Sequence, residues 1–288
     1  MTPKTILLTG ATGYLGSHLL KFWLAKGHHL VVLKRSTSSL RRVAGYVKKC
    51  TWYNVDFPDW VQAFEKHQID TVVHVAASYG RKGETIAQIV DSNTIFPLKL
   101  LDLAIANGVK QFINTASSLP RNLNAYALSK AQFSDWLGFK KNEIGGINLV
   151  IEYFYGTEDD DWKFINMVIN RLLNDEPFID FTKGNQKRDF IYITDVVSAF
   201  DIVLNKYHLL GNEFSIPVGS GNSYTLREVV ELCKVISNNS ATRLNFGALP
   251  DRPGEVAELI ADTSLMESLG WRCQYTLKEG LFELINNR

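Results

Sequence analysis

A chain of 288 residues, 45% of them hydrophobic, is long enough to bury the core of one large α/β domain or of a main domain with a smaller companion. Its formal net charge of +1 gives no electrostatic case for nucleic acid or an anionic membrane surface, so any anionic ligand must be held by local groups. Cys50, Cys233 and Cys273 are far apart and outside any C-x-x-C pair, which argues against a disulfide framework or a zinc site and for reducing cytoplasm. The opening residues pass from MTPK into TILLTG without a signal-peptide core, and no apolar run approaches membrane-spanning length.

Lys4–Gly10 (KTILLTG) is a short apolar, β-rich run ending on Gly, and Tyr14–Gly27 has helical spacing with a Gly stop. Buried strands are expected at His29–Arg35, Cys50–Asp56, Ile69–Ala77, Val109–Ser117 and Ile147–Gly156. Helical patterns lie between most of them, including Asn93–Gly108 with Pro97 near its first turn and a helix from about Asn124 to Lys141. Six repeats of this alternation predict an α/β fold, a parallel sheet covered by helices on both faces. After Gly156 the rhythm changes to an acidic loop (TEDDDW), a helix from Lys163 to Leu173 and a mixed tail, which implies a smaller second lobe.

TGATGYLG sets Gly10, Gly13 and Gly16 between the first strand and the helix it opens. Glycines there permit a tight turn, let backbone N–H groups approach a pyrophosphate, and let the helix pack on the strand, while the helix dipole favours the anion. The end of the second strand discriminates between cofactors, because a carboxylate there would bond the ribose 2′-hydroxyl of NAD whereas cations accommodate a 2′-phosphate. Lys34, Arg35 and Ser36 stand at that place and favour NADP(H). Asp56, at the end of the third strand, is placed to meet the adenine amino group.

One Tyr-x-x-x-Lys pair, Tyr126 and Lys130, opens the helix after the fifth strand, and Ser117 ends that strand on the same carboxyl edge as the glycine loop. Residues four apart share a helix face, so the ammonium could stabilise the phenolate and lower the Tyr126 pKa towards the operating pH. Tyr126 could then exchange a proton with a carbonyl oxygen, and Ser117 could donate a second hydrogen bond to it.

TGATGYLG, Ser117 and YALSK resemble the extended short-chain dehydrogenase/reductases, the sugar-nucleotide epimerase/dehydratase/reductase group. VVHVAA with Asn93, FYG at 154–156, KFI at 163–165, RDFIYITDVVSAF at 188–200 and RPGEVAELIADTSLMESLGW at 252–271 extend the resemblance nearly end to end. It implies a Rossmann-type doubly wound sheet formed by residues 1–155 plus about 189–218, and a sugar-nucleotide lobe formed by 156–188 plus about 219–288. In that arrangement RDFIYITDVVSAF returns to the sheet as a helix and a last strand lies near EFSIPVG.

The catalytic set implied is Ser117, Tyr126 and Lys130. The cofactor would be contacted by Gly10, Thr12, Gly13, Tyr14, Leu15, Lys34, Arg35, Asp56, Phe57, Ala76, Ala77, Asn93, Tyr126, Lys130 and Phe154. A nucleotide-diphospho-sugar would be held by Arg188 and Arg252 at its phosphates, with Lys163 as a helper and Ser118, Tyr79 and Arg81 towards the sugar. A homodimer through the helices flanking the fourth and fifth strands is common in the family.

Only SLPRNLNA separates Ser117 from Tyr126, where most epimerases and dehydratases of the group carry a longer loop, and no Asp-Glu pair stands beside the hydroxyl. The short loop, ASYGRK and RLNFGALPDRPGE resemble the synthases that make CDP-paratose and CDP-abequose, which reduce a C4 ketone with NADPH. A 4-epimerase with tightly bound NAD and a non-catalytic NADP-sensing regulator remain the alternatives. Asp159, Asp160 and Asp161 are expected as a solvated loop and no metal site, His74 as a satisfied core histidine, and Trp271 as packing of the small lobe.

Overall fold

The computed structural model describes residues 2–251 and 254–287. Its strands are β1 (Thr5–Thr9), β2 (His29–Lys34), β3 (Thr51–Asn54), β4 (Thr71–His74), β5 (Gln111–Ser117), β6 (Gly145–Ile151), β7 (Tyr153–Tyr155), β8 (Phe178–Phe181), β9 (Lys187–Tyr192), β10 (Ser215–Val218), β11 (Ser223–Thr225), β12 (Arg243–Phe246) and β13 (Glu258–Leu259). The helices are α1 (Tyr14–Ala25), α2 (Gln62–Lys66), α3 (Ile86–Val90), α4 (Phe96–Ala106), α5 (Ala125–Phe139), α6 (Phe164–Leu173), α7 (Ile193–Lys206), α8 (Leu226–Ile236), α9 (Ser264–Ser268) and α10 (Leu277–Asn286). Among the described residues no helix is long and apolar enough to cross a membrane.

Seven strands form one sheet in the order β10-β6-β5-β4-β1-β2-β3, the Rossmann-type arrangement, and every pair from β3 to β5 is parallel. Alternate strand residues face the same side, so Leu7, Val31, Leu33, Val72 and Phe112 present one apolar surface. Phe64 of α2, Leu100, Leu101 and Ala104 of α4, and Phe133 and Leu137 of α5 bury it. Each such aliphatic or aromatic side chain contributes roughly 1.5–3 kcal/mol when fully buried. The chain divides into two compact units, 1–150 with 200–216, and 151–199 with 217–288. Residues 189–199 thus group with the second unit.

Three elements differ from the sequence reading. The run Ile147–Gly156 is two strands: β6 stays in the main sheet, and β7 pairs with β9 in a second sheet that also holds β11 and β13. Apolar periodicity is uninterrupted across this break, so the pattern conceals it. RDFIYITDVVSAF likewise begins as strand β9 before it becomes α7. The helix expected from Asn93 starts at Ile86 and passes through a π-helical turn at Asp91–Ile95 before α4, with Pro97 inside the run. Pro97 has no N–H to give, and a π turn is a common way to absorb such a gap.

In the second unit two buried carboxylates pin loops. Asp189 accepts from the backbone N–H groups of Ser220 (2.8 Å), Gly221 (3.0 Å) and Ala261 (3.2 Å). Asp195 does the same for Gln274 and Tyr275. Trp271 is buried, its indole N–H donating to Ser198 Oγ at 2.8 Å.

Candidate functional site

In the first unit, the crevice of an open parallel sheet lies at the carboxyl ends of its strands where the strand order reverses, here between β1 and β4. The glycine loop follows β1 at that edge. Gly10 has φ +71°, and a Cβ on it would lie 2.7 Å from the Ala76 backbone nitrogen. A Cβ on Gly16 would lie 2.1 Å from the Gly10 carbonyl oxygen. Gly13 is the N-cap of α1 and has no side chain to bond the first turn, and backbone N–H groups at a helix start favour an anion. Thr12 is half-buried and Gly13 exposed, whereas Tyr14 and Leu15 are buried. This cradle fits a dinucleotide pyrophosphate.

At the end of β2, Lys34 Nζ donates to Asn54 Oδ1 at 2.8 Å and to the Arg35 carbonyl, while Arg35 is exposed. The Asp56 carboxylate accepts from the Ser36 backbone N–H. That bond, with Lys34 and Arg35 nearby, holds Asp56 below the usual carboxylate range. Asp56 therefore closes the β2 loop on which the two cations stand, and Phe57 beside it is exposed.

The hydroxyl and the phenol come together, and the lysine follows four residues along the same helix. Asn124 caps α5, its side chain accepting from the Ala127 N–H at 2.9 Å, which places Tyr126 in the first turn. Ser117 ends β5 and hydrogen-bonds to the Tyr126 hydroxyl, with Ser118 next along the chain. Lys130 is only 2% exposed, and among the described residues its Nζ has no hydrogen-bond partner. Burial lowers its pKa from the ordinary 10.5 to about 8. A buried, unpartnered ammonium is costly and fits a ribose hydroxyl or similar acceptor supplied by a cofactor.

The expected lowering of the Tyr126 pKa is reversed in the protein alone. Burial pushes the phenol well up, Tyr79 adds to that, and Ser117 and Arg81 pull it down. Nor is His74 fully satisfied. Its Nδ1 meets Thr9 Oγ1 at 2.8 Å, but Nε2 has no partner among the described residues; burial, helped by the Lys130 charge, keeps the ring neutral.

Asn93 sits in the π turn and is completely buried. Its amide accepts from the Ser78 N–H (2.8 Å) and donates to the Ser78 carbonyl (2.8 Å) and to Ser129 Oγ (3.0 Å). It therefore braces the loop after β4 against α5 rather than offering its side chain to a ligand. Ala76 and Ala77 begin that loop, and Tyr79 and Arg81 follow. Tyr79 stacks on Tyr126 with ring centroids 4.8 Å apart, a pairing that no local spacing reveals because the two lie on separate elements.

In the second unit the expected phosphate cations are engaged with protein groups. The Arg188 side chain, 4% exposed, donates to the carbonyls of Lys187 (2.7 Å) and Val256 (2.8 Å) and pairs with Glu255 at 3.2 Å. Lys163 pairs with Asp159 at 2.9 Å and stands 5.0 Å from the Phe154 ring centroid. Asp159, expected as part of a solvated loop, has a side chain only 3% exposed, and burial raises its pKa against the pull of Lys163. Arg252 lies outside the described residues.

A model of the NAD dependent epimerase/dehydratase family matches residues 6–216. Among curated proteins, the chain is 33% identical to the CDP-abequose synthase of Salmonella muenchen, covering 98% of this chain and 97% of that one. It is 29% identical to the CDP-abequose synthase of Salmonella typhimurium, covering 97% of each. Among solved structures, the UDP-glucose 4-epimerase of Thermotoga maritima superposes with a TM-score of 0.85 at 24% identity, covering 98% of this chain and 97% of that one.

Proposed function

Because the chain belongs to the NAD-dependent epimerase/dehydratase family, we propose that it is an NADPH-dependent reductase of the C4 ketone of a nucleotide-diphospho-deoxyhexulose. In its most specific form the reaction takes CDP-4-keto-3,6-dideoxy-D-glucose to CDP-paratose or CDP-abequose. The observation that carries this reading is the Ser117–Tyr126 hydroxyl pair one helical turn from a buried Lys130, with no carboxylate in the eight residues between Ser117 and Tyr126. Elimination of water would need an acid and a base beside the hydroxyl, whereas ketone reduction does not. The CDP-sugar assignment is supported by the two CDP-abequose synthases among the relatives.

When bound, NADPH supplies a hydride to C4. The glycine loop and the start of α1 would hold its pyrophosphate, Lys34 and Arg35 its 2′-phosphate, and Lys130 the nicotinamide ribose. The Tyr126 O–H gives its proton to the C4 oxygen as the carbon–oxygen double bond becomes single, and Ser117 Oγ donates a hydrogen bond to the same oxygen while charge develops there. The raised Tyr126 pKa suits this direction, since a reductase needs the phenol protonated at neutral pH. Exposed apolar side chains on the same helices, Ile86 and Ile95 before α4 and Trp136 and Phe139 on α5, support pairing of two copies as a homodimer.

Mixing purified protein with CDP-4-keto-3,6-dideoxy-D-glucose and NADPH should consume the reduced nicotinamide, and Tyr126→Phe should abolish turnover while NADPH still binds. A protein that retains NAD through purification and interconverts C4 epimers without added cofactor would instead be an epimerase.

A further inference from the structure

The loop after β4 brings a second phenol to the assigned acid. The Tyr79 and Tyr126 rings are 4.8 Å apart and 29° from parallel, and their hydroxyls are hydrogen-bonded. The Arg81 guanidinium lies 5.8 Å from the Tyr79 ring centroid, so Arg81, Tyr79 and Tyr126 form a ladder. Tyr79 is 47% exposed and would be expected to move freely unless the backbone around it were held.

It is held. Asn93 grips both the N–H and the carbonyl of Ser78, the residue before Tyr79, and donates to Ser129 Oγ. Ser129 Oγ in turn donates to the Tyr126 carbonyl at 2.9 Å. One buried amide thus links the backbones that carry the two phenols. On the other side of Tyr79, Gly80 turns the chain with φ +69°, and a Cβ there would meet Ile89 Cδ1 at 2.6 Å. Glu84 closes the loop by accepting from Ser78 Oγ (3.1 Å) and the Lys82 N–H (2.7 Å).

We propose that Tyr79, stacked on Tyr126, is a positioning residue that helps keep Tyr126 in its proton-bearing form, that Arg81 opposes it, and that this loop thereby shifts the upper pH limit of ketone reduction. The inference rests on the reductase reading. Two phenolates side by side repel, and a hydroxyl that receives the Tyr126 hydrogen bond favours the neutral acid, whereas the Arg81 cation and the Ser117 donor favour the phenolate. The groups acting on Tyr126 are Tyr79 and Arg81 from this loop and Ser117 from β5; Lys130 lies one turn along α5, with His74 of β4 in electrostatic reach of it. Burial raises the phenol most; Tyr79 adds to that rise, while Ser117 and Arg81 oppose it.

Tyr79→Phe keeps the stacked ring and removes the hydroxyl, and Arg81→Gln removes the charge. The readouts are the alkaline limb of the kcat profile for ketone reduction and, independently of activity, the tyrosinate absorbance of Tyr126 in the complex with NADP+, whose charge favours the phenolate, obtained by difference against Tyr126→Phe. Tyr79→Phe should move both to lower pH, weakening proton binding by roughly threefold or more, and Arg81→Gln should move both to higher pH, with NADPH affinity unchanged in each. A Tyr126 titration that stays in place in Tyr79→Phe, or that moves the same way in both variants, overturns the inference. Absence of ketone reduction in the unaltered enzyme, with the absorbance shifts present, would count against the reductase reading and leave the Tyr79 assignment standing.

Discussion

Replacing Lys130 by Met should make the cofactor-free protein more stable while abolishing its activity. The ammonium is buried, has no partner among the described residues, and its pKa falls from 10.5 to about 8. That fall corresponds to ~3 kcal/mol held against the folded state whenever the lysine is charged in both states. Methionine has a similar length and no charge to desolvate, so the variant should melt several degrees higher at neutral pH; for a domain of this size ~3 kcal/mol is roughly 6 °C or more. The pH dependence follows from linkage. A lysine whose folded pKa is lowered costs stability in full below about 8, and the cost disappears as pH rises from about 8 to 10.5, because the unfolded chain binds the proton more tightly over that interval. The gap in melting temperature between Lys130→Met and the parent should therefore narrow from neutral pH to about pH 10, as read by differential scanning calorimetry without cofactor. A variant less stable than the parent at neutral pH, or a gap that does not close, would refute this account of Lys130. Saturating NADPH should also reverse the order at neutral pH, since only the parent gains the ribose contact.

Gly16→Ala puts a methyl 2.1 Å from the Gly10 carbonyl oxygen, so the loop must shift; a lowered melting temperature by ~1–3 kcal/mol equivalent and a weaker NADPH affinity in fluorescence titration are expected, and unchanged binding would contradict the cradle. Arg188→Ala leaves Glu255 and two carbonyls without their donor, and thermal melts should show a loss of ~3 kcal/mol or more, whereas a purely phosphate-binding Arg188 would lower substrate affinity with no change in stability. Replacing Lys34 and Arg35 together by Ser should raise the KM for NADPH at least tenfold while that for NADH changes little; an equal effect on both cofactors would remove these cations from 2′-phosphate recognition.

The alternation of strands and helices in the main sheet was legible because each β-rich run ends in a turn signal and is followed by helical spacing. The glycine loop was legible because its close approaches leave room for no other residue at Gly10 and Gly16. That Tyr126 and Lys130 share a helix was legible from their spacing, and the glycine loop was needed to place them at the ligand edge of the sheet. Contacts between distant segments were not legible. Nothing in ASYGRK announces that Tyr79 stacks on Tyr126, and nothing in RPGEV announces that Glu255 buries Arg188. An arginine reads the same whether it awaits a phosphate or anchors a loop, and only burial and partners separate the two. The break between β6 and β7 and the burial of Asp159 were hidden for a similar reason: local polarity was continuous while the tertiary surroundings changed.

The central claim is tested most directly by the fate of the cofactor's hydrogen. With NADPH deuterated at the transferable position of the nicotinamide and CDP-4-keto-3,6-dideoxy-D-glucose as substrate, one deuterium should appear at C4 of the product by NMR for each cofactor oxidised. A product without deuterium at C4, formed while the NADPH pool is unchanged, would contradict it.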